Sequence, residues 1–179
     1  NKMDRVGADF SRTLEMMRER LGANPLAIQL PIGAENNFAG VINLVRMKAI
    51  RWHDDLGQTF DIADIPSDLL NEAMEMRETL IETVAGEDDT LLKKYLEGEE
   101  ITKDELICGI RVGTISNAFV PVLCGTSLKN QGVQPLIDAI VAYLPSPLDV
   151  PPIEGMVPTD GRKETRESTD DALFAALAF

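Results

Sequence analysis

The first residues able to do recognition chemistry stand at the very start of the chain, Asn1-Lys2-Met3-Asp4. A carboxylate can accept two adjacent donors at once, and charge-assisted bonds of this bidentate kind are the strong ones. The edge of guanine offers such a pair, N1–H and the 2-amino group. Adenine offers none, so an Asp4 placed to meet a purine edge would be left unpaired by the wrong base. Sites built on hydrogen bonds reject such mismatches by ~10⁴-fold or more. The competing reading is a frayed, polar start to the chain.

Asn-Lys-x-Asp resembles the signature by which GTP-binding proteins read guanine, and the resemblance puts Asn1 toward the N7/O6 side and the alkyl stem of Lys2 over a ring face. Those proteins place a second loop under the base, at the end of the next strand, with a backbone N–H toward O6. The matching stretch here is Gly125-Thr126-Ser127-Leu128-Lys129-Asn130, after the apolar run 120–124. The resemblance puts Thr126 and Ser127 at the loop, the Ser127 N–H toward O6, and Leu128 and Lys129 beside the base. Thr126-Ser127 stands where the family usually has Ser-Ala, a small departure because main chain makes the contact. An ordinary strand-to-helix turn is the alternative.

Several elements must position these residues. Phe10, Leu14, Met17 and Leu21 form one apolar stripe and predict a helix over 8–21, ended by Gly22 and Pro25. Strand-like runs follow at 26–31, 39–45, 47–52 and 59–65, separated by turn residues that include Gly33 and Asp54-Asp55-Leu56-Gly57. A small antiparallel sheet is expected there. Ser67 is expected to cap a helix reaching Val84 and ended by Gly86, with Leu69, Ala73, Leu80 and Val84 on one side. Helices over 88–96 and 102–116 come next, the second opening on the capping-box spacing Thr102-Lys-Asp-Glu105. After strand 120–124, a helix over 132–144 should turn Val133, Leu136, Ile137, Ile140 and Leu144 inward. Prolines at 145, 147, 151 and 152 stiffen a linker, and 156–171 reads as polar and mobile.

The spacing of the two loops is unusual. A strand–helix–strand unit takes ~30 residues, yet Thr126 lies 122 positions after Asp4. The excess falls on the stretch read as a sheet and three helices, so an extra subdomain interrupts the nucleotide fold.

With that organisation, the opening Asn-Lys-Met-Asp-x-x-Gly-Ala-Asp closely resembles elongation factor G. So do Arg20-Leu-Gly-Ala-Asn-Pro25, Gln29-Leu-Pro-Ile-Gly33, Lys94-Tyr-Leu-Glu-Gly-Glu-Glu100, Lys129-Asn-Gln-Gly-Val-Gln134 and Tyr143-Leu-Pro-Ser-Pro-Leu-Asp-Val-Pro-Pro152. The resemblance implies an α/β fold, a partial P-loop GTPase domain with a parallel sheet, interrupted by an α+β insertion. It divides the chain into 1–24 and 118–145 of the GTPase domain, 25–117 as its insertion, and 146–179 as linker and start of a β-barrel domain. Release factor three and the tetracycline-resistance ribosome-protection proteins are rival readings. A non-catalytic interaction module that keeps a GTPase-like shape is another.

The likeness further implies a translational GTPase that drives tRNA and mRNA through the ribosome, with GTP or GDP as ligand. It implies docking of the insertion on the ribosomal stalk protein, a monomeric state, and a cytoplasmic setting, with an organellar matrix or stroma as the other possibility. This stretch lacks Gly-x-x-x-x-Gly-Lys-Ser/Thr, the switch threonine for Mg2+ and the Asp-x-x-Gly loop. Since phosphoryl transfer rests on those parts, the chain by itself is expected to be inactive, with no Mg2+ ligand of its own and no catalytic residue. Asn1 is no initiator methionine and 171–179 stops in an apolar run, so both ends read as cuts through a longer protein.

Bulk properties set further bounds. The 179 residues carry a net charge of −13, with 44% hydrophobic and 26% charged residues, as in an ordinary globular protein. That charge repels a phosphate backbone and argues against direct nucleic-acid binding. No apolar run approaches the ~20 residues of a membrane span, and no signal-peptide pattern opens the chain. Cys108 and Cys124 form no disulfide framework, as suits a reducing compartment. His53 is the only histidine, which excludes a Ser-His-Asp triad and two-histidine metal sites among these residues, and Asp54-Asp55 reads as a turn. The acidic stretch 87–105 is either a solvated helical face or part of the stalk surface.

Overall fold

The computed structural model describes residues 1–54, 56–174 and 176. Asp55 and part of the apolar run at the end lie outside the described residues. Residues 1–144 form one compact unit and 145–179 a second.

In the first unit, helix α1 (Phe10–Leu21) starts where the Asp9 carboxylate accepts the Arg12 N–H at 2.9 Å. It stops at Gly22, whose φ of 61° is the left-handed conformation that closes a helix most cheaply. Phe10 and Leu14 of the expected stripe are buried, whereas Leu21 projects into solvent.

Strand β1 (Pro25–Ala27) pairs in parallel with β6 (Val120–Val122), Leu26 opposite Pro121. At Ile28 the chain changes sheets: its N–H donates to the Val122 carbonyl, while its own carbonyl accepts from Leu44. From there β2 (Gln29–Ile32) leads an antiparallel sheet of order β2–β3–β4–β5, with β3 at Gly40–Asn43, β4 at Lys48–Trp52 and β5 at Phe60–Ala63. The single strand expected over 26–31 is therefore two strands in two sheets. Its alternation runs unbroken through Leu26, Ile28, Leu30 and Ile32, all buried, so nothing in the pattern marks the switch.

Helix α2 (Leu70–Ala85) begins three residues later than Ser67, which caps nothing; Ser67 sits in a turn closed by the Leu69 N–H on the Pro66 carbonyl. Helix α3 (Asp89–Glu97) is capped by the Asp88 side chain. Helix α4 (Lys103–Ile115) carries the expected capping box, Thr102 and Glu105 each bonding the other's backbone N–H. Ala73, Leu80 and Val84 of α2 and Leu106 and Ile110 of α4 are fully buried, in one core with Leu26, Ile42, Phe119 and Tyr143. The core thus joins α2, α3 and α4 with both sheets and the helix after β6.

Helix α5 (Val133–Tyr143) corrects the expectation of a face made of large aliphatics turned inward. Leu136, Ile137, Ile140 and Leu144 are exposed, and so is Val141. The side packed on the core is Ala139, Ala142 and Tyr143. Its last turn is held by Arg111, which donates to the Ala142 and Leu144 carbonyls at 3.2 and 2.8 Å. A period-3.6 pattern identifies a face to be covered but not what covers it; among the described residues, the small side of this helix meets the core.

Among the described residues, the second unit contains one antiparallel hairpin, β7 (Ile153–Met156) with β8 (Lys163–Arg166). Met156 and Lys163–Arg166 of the stretch 156–171, read as polar and mobile, lie in these strands. Among the described residues, no helix is long and apolar enough to cross a membrane.

Candidate functional site

Loop 1–9 is drawn against the end of β6 by the Met3 N–H, which donates to the Gly125 carbonyl at 3.1 Å. The Met3 side chain is buried in a small cluster with Phe10, Leu14, Val41, Trp52 and Cys124. Burial among these apolar neighbours pushes the Cys124 thiol up to about 12, so it packs as a hydrophobe. Met3 is thus an anchor, and it leaves Asn1, Lys2 and Asp4 at the surface.

On the other side, Thr126 and Gln131 form a two-bond bridge through their backbones, which closes the turn 126–131. Thr126 is 1% exposed, and its hydroxyl donates to Asp4 Oδ1 at 2.7 Å. That bond is the main cause holding the Asp4 carboxyl below its ordinary range, assisted by the positive charge of Arg5 and Lys129. Two residues 122 positions apart therefore meet at one carboxylate, which stays ionised and able to accept donors. The Ser127 N–H donates to Asn1 Oδ1 at 3.0 Å rather than standing open, so a base taking that N–H would displace the Asn1 amide oxygen. Leu128 is 78% exposed at the rim. The six residues Asn1, Lys2, Asp4, Thr126, Ser127 and Leu128 lie on the two loops that this contact joins.

Backbone strain gathers here as well. Of the five non-glycine residues with positive φ among the described residues, Lys2 (66°), Glu35 (54°) and Asn130 (53°) lie on these loops or against them. Such conformations cost of order 1–3 kcal/mol each and persist where surroundings impose them. Glu35 was not singled out from sequence, yet it grips loop 1–9 twice. Its N–H donates to the Met3 carbonyl at 2.8 Å, and its carboxylate accepts the Gly7 N–H at 2.6 Å. Gln131 and Gln134 were likewise missed as support residues; they bond the Asp54 and Gly57 carbonyls of the β4–β5 hairpin. Glu35 and Gln131 sit in loops without periodicity, and Gln134 is a single polar residue in the first turn of α5, so no pattern marks any of them.

The other residues weighed from sequence stand apart from this site. His53 bonds Asp61 across the β4–β5 hairpin at 2.6 Å, half exposed. Asp54 accepts from the Thr59 hydroxyl and from the N–H groups of Leu56, Gln58 and Thr59, so it organises the turn. Among the described residues, no group of three His, Cys, Asp or Glu side chains is placed to hold a metal ion. A groove of about 400 Å³ between the antiparallel sheet and α5 is lined by neither Asp4 nor Thr126.

The sequence profile of the elongation factor Tu GTP binding domain matches residues 1–146. A crystal structure of a protein from Thermus thermophilus superposes on this chain with a TM-score of 0.72 at 30% identity, over 84% of this chain. The chain spans 23% of the length of that protein. The parallel β1–β6 pair with α1 and α5, the antiparallel sheet and helices set between its strands, and the contact of Asp4 with the loop after β6 accord with that match: this α/β chain, a GTPase-domain fold with an insertion, belongs to the elongation factor Tu GTP-binding domain family of translational GTPases.

Proposed function

We propose that this chain is the guanine-reading part of an elongation factor G, a GTPase that moves tRNA and mRNA through the ribosome. The observation that carries the base-reading role is the Thr126 hydroxyl on Asp4 Oδ1. It orients the carboxylate at the junction of two loops, as acceptance of the N1–H and 2-amino pair requires. Asp4 is the base discriminator, Asn1 and the Ser127 N–H serve the O6/N7 side, and Lys2 and Leu128 flank the ring. The donor set fits a guanine nucleotide through its base. Phosphate and Mg2+ contacts are assigned to a segment preceding Asn1, so the chain by itself binds nucleotide weakly and does not hydrolyse it.

The division into 1–24, 25–117, 118–145 and 146–179 is part of this reading. The exposed aliphatics Leu136, Ile137, Ile140, Val141 and Leu144 support it, because a preceding half of the GTPase domain would give that face of α5 a cover. We further assign stalk-protein docking to the insertion, where α3 exposes Leu92 and Leu96 and is followed by the exposed acids Glu99 and Glu100. The working protein on this reading is a monomer in the cytoplasm.

Nucleotide selectivity tests the base-reading role. In the full-length protein, Asp4→Asn should weaken GDP binding by about 10- to 100-fold, the worth of a hydrogen bond to a charged group. The same change should improve binding of xanthosine diphosphate, whose C2 carbonyl accepts from an amide. Unchanged GDP affinity would remove Asp4 from the site.

A further inference from the structure

The loops that meet at Asp4 are each held from outside by the antiparallel sheet of the insertion. Resting on the base-reading role proposed above, we infer that Glu35 and the β4–β5 hairpin are positioning elements for the guanine site, governing how long a nucleotide is held without touching it.

Glu35 spans loop 1–9 on both sides of Asp4. Its backbone N–H holds the Met3 carbonyl, and its carboxylate holds the Gly7 N–H. Within the loop, Arg5 bonds back to Lys2 and Ala8 to Arg5, so the turns carrying Asp4 have few ways to shift once both ends are pinned. The left-handed φ of Glu35 shows that the sheet end dictates the conformation there.

The second loop is held in the same manner. Gln131, bridged to Thr126, donates to the Asp54 carbonyl at 3.1 Å, and Gln134 donates to the Gly57 carbonyl at 2.9 Å. Gly57 lies so close that an added Cβ would stand 2.7 Å from the Lys129 carbonyl oxygen, at a φ of 62° that glycine alone adopts cheaply. The hairpin is itself fixed by the Asp54 carboxylate, which gathers N–H groups of residues 56, 58 and 59. A displaced sheet would move both loops, and Asp4 and Thr126 would lose their register.

Release of fluorescent N-methylanthraniloyl-GDP from the full-length protein tests this. Rates are read where circular dichroism shows each variant folded. Glu35→Gly removes the carboxylate while tolerating positive φ, and Gln134→Ala removes the hairpin bond. Each should speed release about threefold to tenfold, the range over which residues outside a site tune it. Glu35→Gln, whose amide oxygen can still accept the Gly7 N–H, should restore slow release. A merely structural brace would lower the melting temperature and leave release unchanged, which overturns the inference. So would acceleration in only one of the two variants, or failure of Glu35→Gln to restore. If Glu35→Gly does not fold, Gln134→Ala decides alone, unchanged release there overturning the inference. Asp4→Asn run in parallel separates the two claims. Faster release in Asp4→Asn alone overturns only the positioning role; unchanged release in Asp4→Asn as well removes the base site and this inference with it.

Discussion

Thr126 is buried, and its hydroxyl has a charged acceptor on the protein surface. Removing the hydroxyl while keeping the shape isolates its contribution, and Thr126→Val does so. The Asp4 carboxyl should then titrate closer to its ordinary range, because the largest cause of its depression is gone. At neutral pH it stays ionised, so the consequence for binding is loss of orientation. GDP affinity should fall by about tenfold, as for one charge-assisted bond. Calorimetric titration of GDP into the full-length variant reads the affinity, and NMR of the Asp4 carboxyl reads the titration. An unshifted carboxyl would show that Thr126 does not hold it. The buried position of Thr126 was not legible beforehand, since nothing in Gly-Thr-Ser-Leu distinguishes a hydroxyl turned inward from one in solvent.

At the scale of the element, α4 depends on its first turn. Glu105 accepts from Lys94, from the Thr102 N–H and from the Thr102 hydroxyl, which together bring its carboxyl from an ordinary 4.5 to about 2. A carboxyl depressed in the folded state adds stability above its unfolded value and loses it as pH falls through the folded one. The window is therefore between about 4.5 and 2. Hydrogen exchange across α4 should lose protection over that window, first at its N-terminal turn. Glu105→Gln should show less of that loss on acidification. Equal acid sensitivity in the two proteins would place the cause elsewhere. This cap was readable as Thr-x-x-Glu before an apolar run, because capping is local chemistry at fixed spacing. Ser67 shows the limit of the same rule: it too precedes a helix, yet the chain turns once more at Pro66–Leu69 before Leu70 starts the helix.

For the whole molecule, charge and exposure bear on partners. With a net charge of −13, a docking partner should be basic or apolar on its contact face, and α3 of the insertion carries exposed Leu92 and Leu96. Titrating a ribosomal stalk protein into the isotopically labelled chain should shift resonances of α3 and α4 and leave those of loop 1–9 in place. A flat titration counts against docking there. Shifts confined to α5 would instead identify its aliphatic face as a general sticky surface.

That the two candidate loops belong together was legible in the sequence because that expectation rests on residue type at fixed spacing: Asn-Lys-x-Asp, a strand running into a small polar turn, and a detour too long for one crossover. Helix ends set by local chemistry, such as Gly22 after α1 and Thr102 before α4, were legible for the same reason. Tertiary structure alone decided the change of sheet at Ile28, the inward side of α5 and the grip of Glu35 and the hairpin on the loops. Each of those depends on which distant segment arrives at a surface, and neither residue type nor period encodes the neighbour.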